Sequence, residues 1–328
     1  MKGSIKWQVT EIFKDVERSI RASGSIKWQV TEIFKEIKEI GNSKHEAKNH
    51  ARLAGARGSH QIAQKTGIYG IDTMDDYRST VVGFATWAKE NLHLKDLTKT
   101  NTADVKAYLD NRIKTGKKHK TFQLDKSALN KFELALNRYS QNHNLNKTYD
   151  FGLNETFKDA HKSLVHADVK AYKQKDIDKI LNTKDKAVNL ACRIALFAGL
   201  RKSEILNLGL KPESLKENNA INVIGGKGGK DRTVSAIANK SLIDEIKIFL
   251  HENNLRKFGD AVTGGKINNA IRKVLVDTGS IHALRHNFAI NTIKYFEGLG
   301  YSHIEAVHLT SLQLGHNRNE IIEGVYSK

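Results

Sequence analysis

The chain has 328 residues with 54 Lys+Arg against 36 Asp+Glu, a formal charge of +18 that points to a polyanionic partner. One cysteine, Cys192, excludes an internal disulfide and a thiolate metal site, so a stapled secreted scaffold and a zinc finger are set aside. The most apolar stretch, Ala187 to Leu200, is broken by Arg193 and falls short of the roughly 20 residues of a membrane span. The N-terminal MKGSIKW lacks a signal-peptide core, so a cytoplasmic protein without a membrane partner is expected. A single proline, Pro212, leaves helices almost uninterrupted and favours a mainly α chain.

The segment GSIKWQVTEIFK occurs at Gly3 to Lys14 and again, unchanged, at Gly24 to Lys35. Each copy predicts an amphipathic helix: Ile5, Val9, Ile12, Phe13, Val16 and Ile20 share a face, as do Ile26, Val30, Ile33, Phe34 and Ile37. Two units are too few for a stacked solenoid, and the repeat reads as a tandem duplication that lengthens a helical lead-in. From Lys44 to Lys65 the chain is basic and broken by glycines. Helical periodicity returns over Ile71 to Asn91, Thr102 to Ile113 and Thr121 to Asn142. Between the last two sits RIKTGKKHK, whose Arg112, Lys114, Lys117, Lys118 and Lys120 surround one glycine and suit phosphate contacts.

Residues 143–172 are polar with scattered apolar positions and are read as the connection between domains. Helices follow near Lys175 to Asn182 and Lys186 to Ala198. From Ala220 to Ile237 two β-branched runs flank GGKGGKD, which predicts an antiparallel hairpin with a glycine-rich tip. Helical periodicity resumes at Leu242 and continues, with loops, to the end. The expected organisation is a helical extension over 1–60 with arm-type DNA binding as its candidate role, a helical domain over 61–145, a linker over 146–172 and an α-rich domain with a small antiparallel sheet over 173–328.

Several signatures fail on spacing. GGKGGKD fits neither GxxxxGK[ST] nor GxGxxG, and His45, Glu46 and His50 place the histidines five apart instead of the four a zinc-protease helix needs. What remains is an ordered set: Arg201 in AGLRKSEIL, Lys227 in the hairpin tip, His282 and Arg285 in IHALRHNFA, His316 in LGHNRNE and Tyr326 in GVYSK. In these residues the chain closely resembles the tyrosine recombinase and integrase family, by motif over about residues 172–326 and less sharply over 65–145, which looks like that family's core-binding domain. Glu204 matches the family's acidic position and reads as an orienter of basic groups, with a surface ion pair as the alternative.

The chemistry makes the set intelligible. In-line attack on a phosphodiester builds negative charge around phosphorus, which fixed cations and donors must meet. Arg201 and Arg285 suit this, because a guanidinium holds two phosphate oxygens in a rigid fork and stays charged. His282 and His316 can add hydrogen bonds or move protons near neutral pH. The resemblance implies that Lys227 protonates the departing 5′-oxygen and that Tyr326 is the nucleophile of a 3′-phosphotyrosyl intermediate. That link conserves the energy of the broken ester, so no metal and no other cofactor is expected. Lys230 and Arg232 are read as further DNA contacts.

The resemblance thus implies a mainly α tyrosine recombinase fold and a basic clamp around double-stranded DNA at specific recombination sites. It implies strand exchange by a homo-tetramer, and the N-terminal extension suits a mobile-element or phage integrase. Tyr326 lies ten residues after His316 where nine is common in the family, and two residues follow it where family members continue into a docking tail. The alternatives are a type IB-like topoisomerase and a catalytically impaired DNA-binding fragment lacking that tail.

Overall fold

The computed structural model describes residues 24–165, 171–215, 220–226, 231–276 and 279–315. The chain divides at residues 167 and 168 into two compact units, each with its own apolar core. No helix among the described residues is long and apolar enough to cross a membrane.

The first unit is helical: α1 (Ile26–Lys35), α2 (Lys44–Leu53), α3 (Gly58–Lys65), α4 (Ile71–Leu92), α5 (Thr102–Lys114), α6 (His119–Asn142) and a single turn, α7 (Leu153–Thr156). The predicted periodicities at 71–91, 102–113 and 121–142 fall on α4, α5 and α6. Asn101 starts α5 by accepting from Asp104 N–H while the Asp104 carboxylate accepts from Asn101 N–H, two 3.0 Å bonds that satisfy donors the helix cannot. Phe132 of α6 is the hub of the core, with the rings of Phe34, Phe84 and Phe151 centred 6.4, 6.2 and 6.4 Å from its own.

Two segments have other roles than the sequence suggested. The second repeat copy forms α1, and Val30, Ile33, Phe34 and Ile37 are buried in the same core as α4 and α6, so 26–37 is integral to this unit and no extension. The first copy lies outside the described residues. The stretch expected to be a linker supplies Tyr149, Phe151, Leu153, Phe157 and Leu164 to the core. Its apolar residues are irregularly spaced because a loop that lines a core follows no single period.

The second unit comprises α8 (Gln174–Leu181), α9 (Lys186–Ala198), α10 (Lys202–Leu206), β1 (Ala220–Val223), β2 (Arg232–Ser235), α11 (Leu242–Glu252), α12 (Gly264–Val274), α13 (Ile281–Gly298) and α14 (His303–Leu314). β1 and β2 pair antiparallel from Ala220 opposite Ser235 to Val223 opposite Arg232, as the hairpin reading expected. α9 is the central helix: nine of its 13 residues are buried, an apolar surface on all sides that only a surrounded helix can carry. Cys192 on it is buried, and desolvation pushes its thiol up to about 12, leaving it an inert packing group. The fold is mainly α with one small antiparallel sheet among the described residues.

Candidate active site

The site is built where α9 ends. Gly199 closes that helix in the left-handed conformation at φ 59°, and the chain turns through buried Leu200 into Arg201, the residue before α10. Glu204 lies three residues on, so its carboxylate reaches back one turn: Oε2 accepts from Arg201 N–H at 2.8 Å and Oε1 from Arg201 Nη1 at 2.8 Å. This local geometry is what the GLR-x-x-E spacing encodes.

Two more arginines arrive from distant chain. Arg232 of β2 grips Glu204 with both terminal nitrogens, Nη1 to Oε1 at 2.9 Å and Nη2 to Oε2 at 2.7 Å. Arg285 of α13 is 1 % exposed, with Nη1 4.0 Å from Glu204 Oε2. Its Nη1 donates to the Gly199 carbonyl and its Nη2 to the Leu314 carbonyl at 2.5 Å. Arg201 Nη2 donates to the same Leu314 carbonyl at 3.4 Å, and Arg232 Nε to the Gln313 carbonyl at 2.9 Å.

Three guanidiniums therefore converge on Glu204 and on the last carbonyls of α14. Those carbonyls have no partner within their helix and carry the negative end of its dipole, so they offset part of the repulsion among the cations. Burial alone would raise the Glu204 pKa, but the hydrogen bonds and charge of Arg232, with those of Arg201, outweigh it and hold the carboxyl at about 2. The Glu204 side chain is 6 % exposed, so its pairs with Arg201 and Arg232 are buried and not surface ion pairs.

Arg232 does not present itself to DNA as the sequence reading expected. Its side chain is 9 % exposed and all three of its guanidinium nitrogens donate inward. It ties the hairpin to α14 at Gly315, where the φ of 65° and a Cβ only 3.0 Å from Arg232 Cδ favour glycine. An Arg232→Gln variant is expected to lose thermal stability in a melting experiment. Its DNA affinity should keep the same logarithmic salt slope, whereas loss of a direct phosphate contact would reduce it by about 0.9.

His282 is exposed in the first turn of α13, one turn before Arg285, and its ring meets the buried His286 edge-on at 5.2 Å. The sequence reading missed Tyr172, whose backbone pairs with the Asn287 side chain through 2.9 and 2.8 Å bonds. Its hydroxyl donates to the Ser280 carbonyl at 2.9 Å and accepts from Ser280 N–H at 2.7 Å, so it sets the start of the helix carrying His282 and Arg285. Lys227, Lys230, His316 and Tyr326 lie outside the described residues.

In the first unit Arg112 also turns inward: its Nε meets Asp125 Oδ2 at 2.6 Å and its guanidinium lies 5.6 Å from the Tyr108 ring centre. Asp125 is itself buried, and desolvation raises its pKa against the opposing pull of Arg112 and Lys117. Of the other four cations in the loop, Lys114, Lys118 and Lys120 are exposed and Lys117 is half-buried. Guanidinium clusters repel metal cations; the ligand chemistry that the Arg201 and Arg285 pair fits is a phosphate.

Residues 69–138 match the family model described as phage integrase, N-terminal SAM-like domain. Among solved structures the chain is similar to a lambda integrase (75–356) dimer bound to a COC′ core site, at 14 % identity over 86 % of this chain and 94 % of that one, with a TM-score of 0.57. It is similar to the XerH site-specific recombinase bound to difH substrate at 20 % identity over 92 % and 91 %, TM-score 0.54. It is also similar to the Tn1549 transposon integrase in complex with transposon right end DNA, at 17 % identity over 91 % and 95 %, TM-score 0.53. Comparison with curated proteins found no match. At these identities the likeness is one of fold.

Proposed function

We infer that this chain is a tyrosine recombinase of the integrase type, and propose that it cleaves and rejoins duplex DNA at specific sites. The observation that carries the reading is the convergence of Arg201 and Arg285, 84 positions apart in sequence, on one carbonyl at the end of α14. Burying guanidiniums beside one another is costly, and a single shared carboxylate leaves the cluster with excess positive charge among the described residues. A phosphate brought to its edge meets that charge, and a phosphorane transition state, more negative than the diester, meets it better.

In the reaction, Tyr326 Oη attacks phosphorus as the bond to the 5′-oxygen breaks, and that oxygen takes a proton from Lys227. The products are a 3′-phosphotyrosine and a 5′-hydroxyl; attack by a 5′-hydroxyl reverses the step and frees the tyrosine. His282 and His316 donate to the phosphate oxygens, and Arg201 and Arg285 neutralise them. Cations at the site favour the phenolate of Tyr326 over the ordinary phenol, whose pKa is about 10. Four copies acting on two sites complete an exchange, an assembly supported by the similarity in fold to a lambda integrase tetramer bound to a Holliday junction, at 14 % identity over 97 % of this chain and TM-score 0.55. A mobile element is the source this reading favours.

The test uses a nicked suicide duplex carrying a site enriched by the protein from a random-sequence library. The wild-type chain is expected to form an adduct that survives denaturation, and Tyr326→Phe none. Adduct formation by both would assign the chemistry to another nucleophile.

A further inference from the structure

Residues 41–67 leave the first unit's core and rejoin it at Ile68. Lys38 and Ile68 form a parallel bridge, with Glu39 N–H donating to the Ile68 carbonyl at 2.9 Å and Ile68 N–H to the Ile37 carbonyl at 2.8 Å. The excursion they close holds α2 and α3, joined by a tight turn, and has its own small apolar centre of Ala51, Ala56 and Ile62 apart from the main core. It lies before residues 69–138, the segment that the family model covers.

The charge of this excursion is one-sided. Residues 41–67 contain Lys44, Lys48, Arg52, Arg57 and Lys65 against one acid, Glu46. Lys48 is half-exposed and the other four cations are exposed. Among the described residues no carboxylate forms an ion pair with any of the five. Among exposed cations elsewhere in this unit, Lys35 pairs with Glu32 at 2.6 Å and Lys162 with Asp159 at 2.7 Å. A patch of like charges held together on a folded hairpin is self-repulsive until a polyanion covers it.

The hairpin is also held at a defined place. Lys131 of α6 donates to the Ala63 carbonyl at 2.5 Å and to the Thr66 carbonyl, closing the C-terminal end of α3 against α6. Lys131 and exposed Lys120 are eleven residues apart on α6, three helical turns and therefore one face. The hairpin thus continues the face that begins at the Lys114 to Lys120 loop, about 16 Å further along the helix, which is roughly five base pairs of duplex.

We propose that α2 and α3 form an auxiliary DNA-backbone contact, in which Lys44, Lys48, Arg52 and Arg57 neutralise phosphates and extend the footprint beyond that of the 69–138 segment. This rests on the reading of the chain as a duplex-DNA enzyme. The contact is independent of base sequence, since phosphates carry the charge and α2 and α3 offer cations to them.

The experiment measures binding of the full chain to a mixed-sequence 40-base-pair duplex between 50 and 200 mM salt. One variant replaces Lys44, Lys48, Arg52 and Arg57 with glutamine; the other removes equal charge at exposed Lys27, Lys89, Lys95 and Lys99 of the same unit. The hairpin variant is expected to lose about 3.6 from the logarithmic salt slope, at about 0.9 for each of its four phosphate contacts, so that the wild-type advantage in affinity changes about 150-fold across this range. The control variant should change the slope by less than 1. Circular dichroism should show both folded, because the hairpin centre and the main core are untouched. Equal slopes for wild type and hairpin variant, or equal losses in the two variants, would overturn the proposal while adduct formation by wild type left the recombinase reading standing. A wild-type chain that binds no duplex overturns both. Salt-insensitive self-association in sedimentation, abolished by the hairpin variant, overturns the proposal in favour of a second copy of the chain.

Discussion

Replacing Glu204 with glutamine is expected to lower the unfolding free energy by about 3–5 kcal/mol and to abolish adduct formation, read by urea denaturation and by the suicide-duplex assay. The carboxylate is 6 % exposed and is shared by Arg201, Arg232 and Arg285, so the neutral amide leaves three guanidiniums close together without the charge that holds them. Glutamine keeps the volume, which makes the loss electrostatic and not a cavity. The pH dependence has a definite sign. The folded pKa of Glu204 is about 2 against an ordinary 4.5, so its contribution is complete above pH 4.5 and is lost as pH falls through 2. At about 1.4 kcal/mol per pKa unit the difference is on the order of 3 kcal/mol. The wild-type chain should therefore lose stability between pH 5 and 2 more steeply than Glu204→Gln, with the other carboxylates cancelling between the two. Parallel curves would show that Glu204 does not hold the cluster.

Gly199→Ala should cost about 2–4 kcal/mol and slow adduct formation by at least about tenfold. Two effects add. The φ of 59° is left-handed backbone, which costs a non-glycine residue about 1 kcal/mol or more. An added Cβ would also stand 2.2 Å from Phe288 Cδ1, an overpacking that costs about 1–3 kcal/mol. Phe288 is one turn beyond Arg285 on α13, and Arg285 donates to the Gly199 carbonyl, so the helix that retreats from the methyl carries the guanidinium with it. Gly116 gives the contrast: its φ is 66° but nothing lies within 4 Å of its Cβ position, so Gly116→Ala should cost only the backbone term of about 1 kcal/mol with adduct formation unchanged. Equal losses in melting experiments on the two variants would remove Phe288 from the account.

The cluster also explains the division between buried and exposed cations in this strongly basic chain. Arg232 and Arg112 both belong to sequence stretches rich in lysine and glycine, and both spend their charge internally, on Glu204 and on Asp125. Near Arg112, Lys114, Lys118 and Lys120 stay exposed. An arginine can meet a carboxylate with several fixed donors in one plane, so it tolerates burial; a lysine ammonium is more strongly hydrated and keeps to water. That rule separates the inward Arg112 from the exposed lysines of its loop.

Much of the fold was legible because helix and hairpin signals are local. The apolar spacing of Met74, Tyr77, Val81 and Phe84, or of Leu129, Phe132 and Leu136, needs no knowledge of a partner to predict α4 and α6. The i to i+3 relation of Arg201 and Glu204 is equally local, as is the order of the motif residues along the chain. What the sequence left open is which charges pair. Arg232 lies 28 residues from Glu204 and 81 from Gln313, and Arg285 lies 86 from Gly199. Tyr172 ends a polar stretch with no local signal of its role, because its partners Asn287 and Ser280 lie 115 and 108 residues on. The amino-acid sequence by itself determined the helices, the hairpin and the set of groups suited to a phosphodiester. Only the tertiary structure decided how each cation is held, because a guanidinium takes its partners from the carboxylates and helix-end carbonyls that stand about 3 Å away, and in a folded chain those neighbours are set by packing between distant segments.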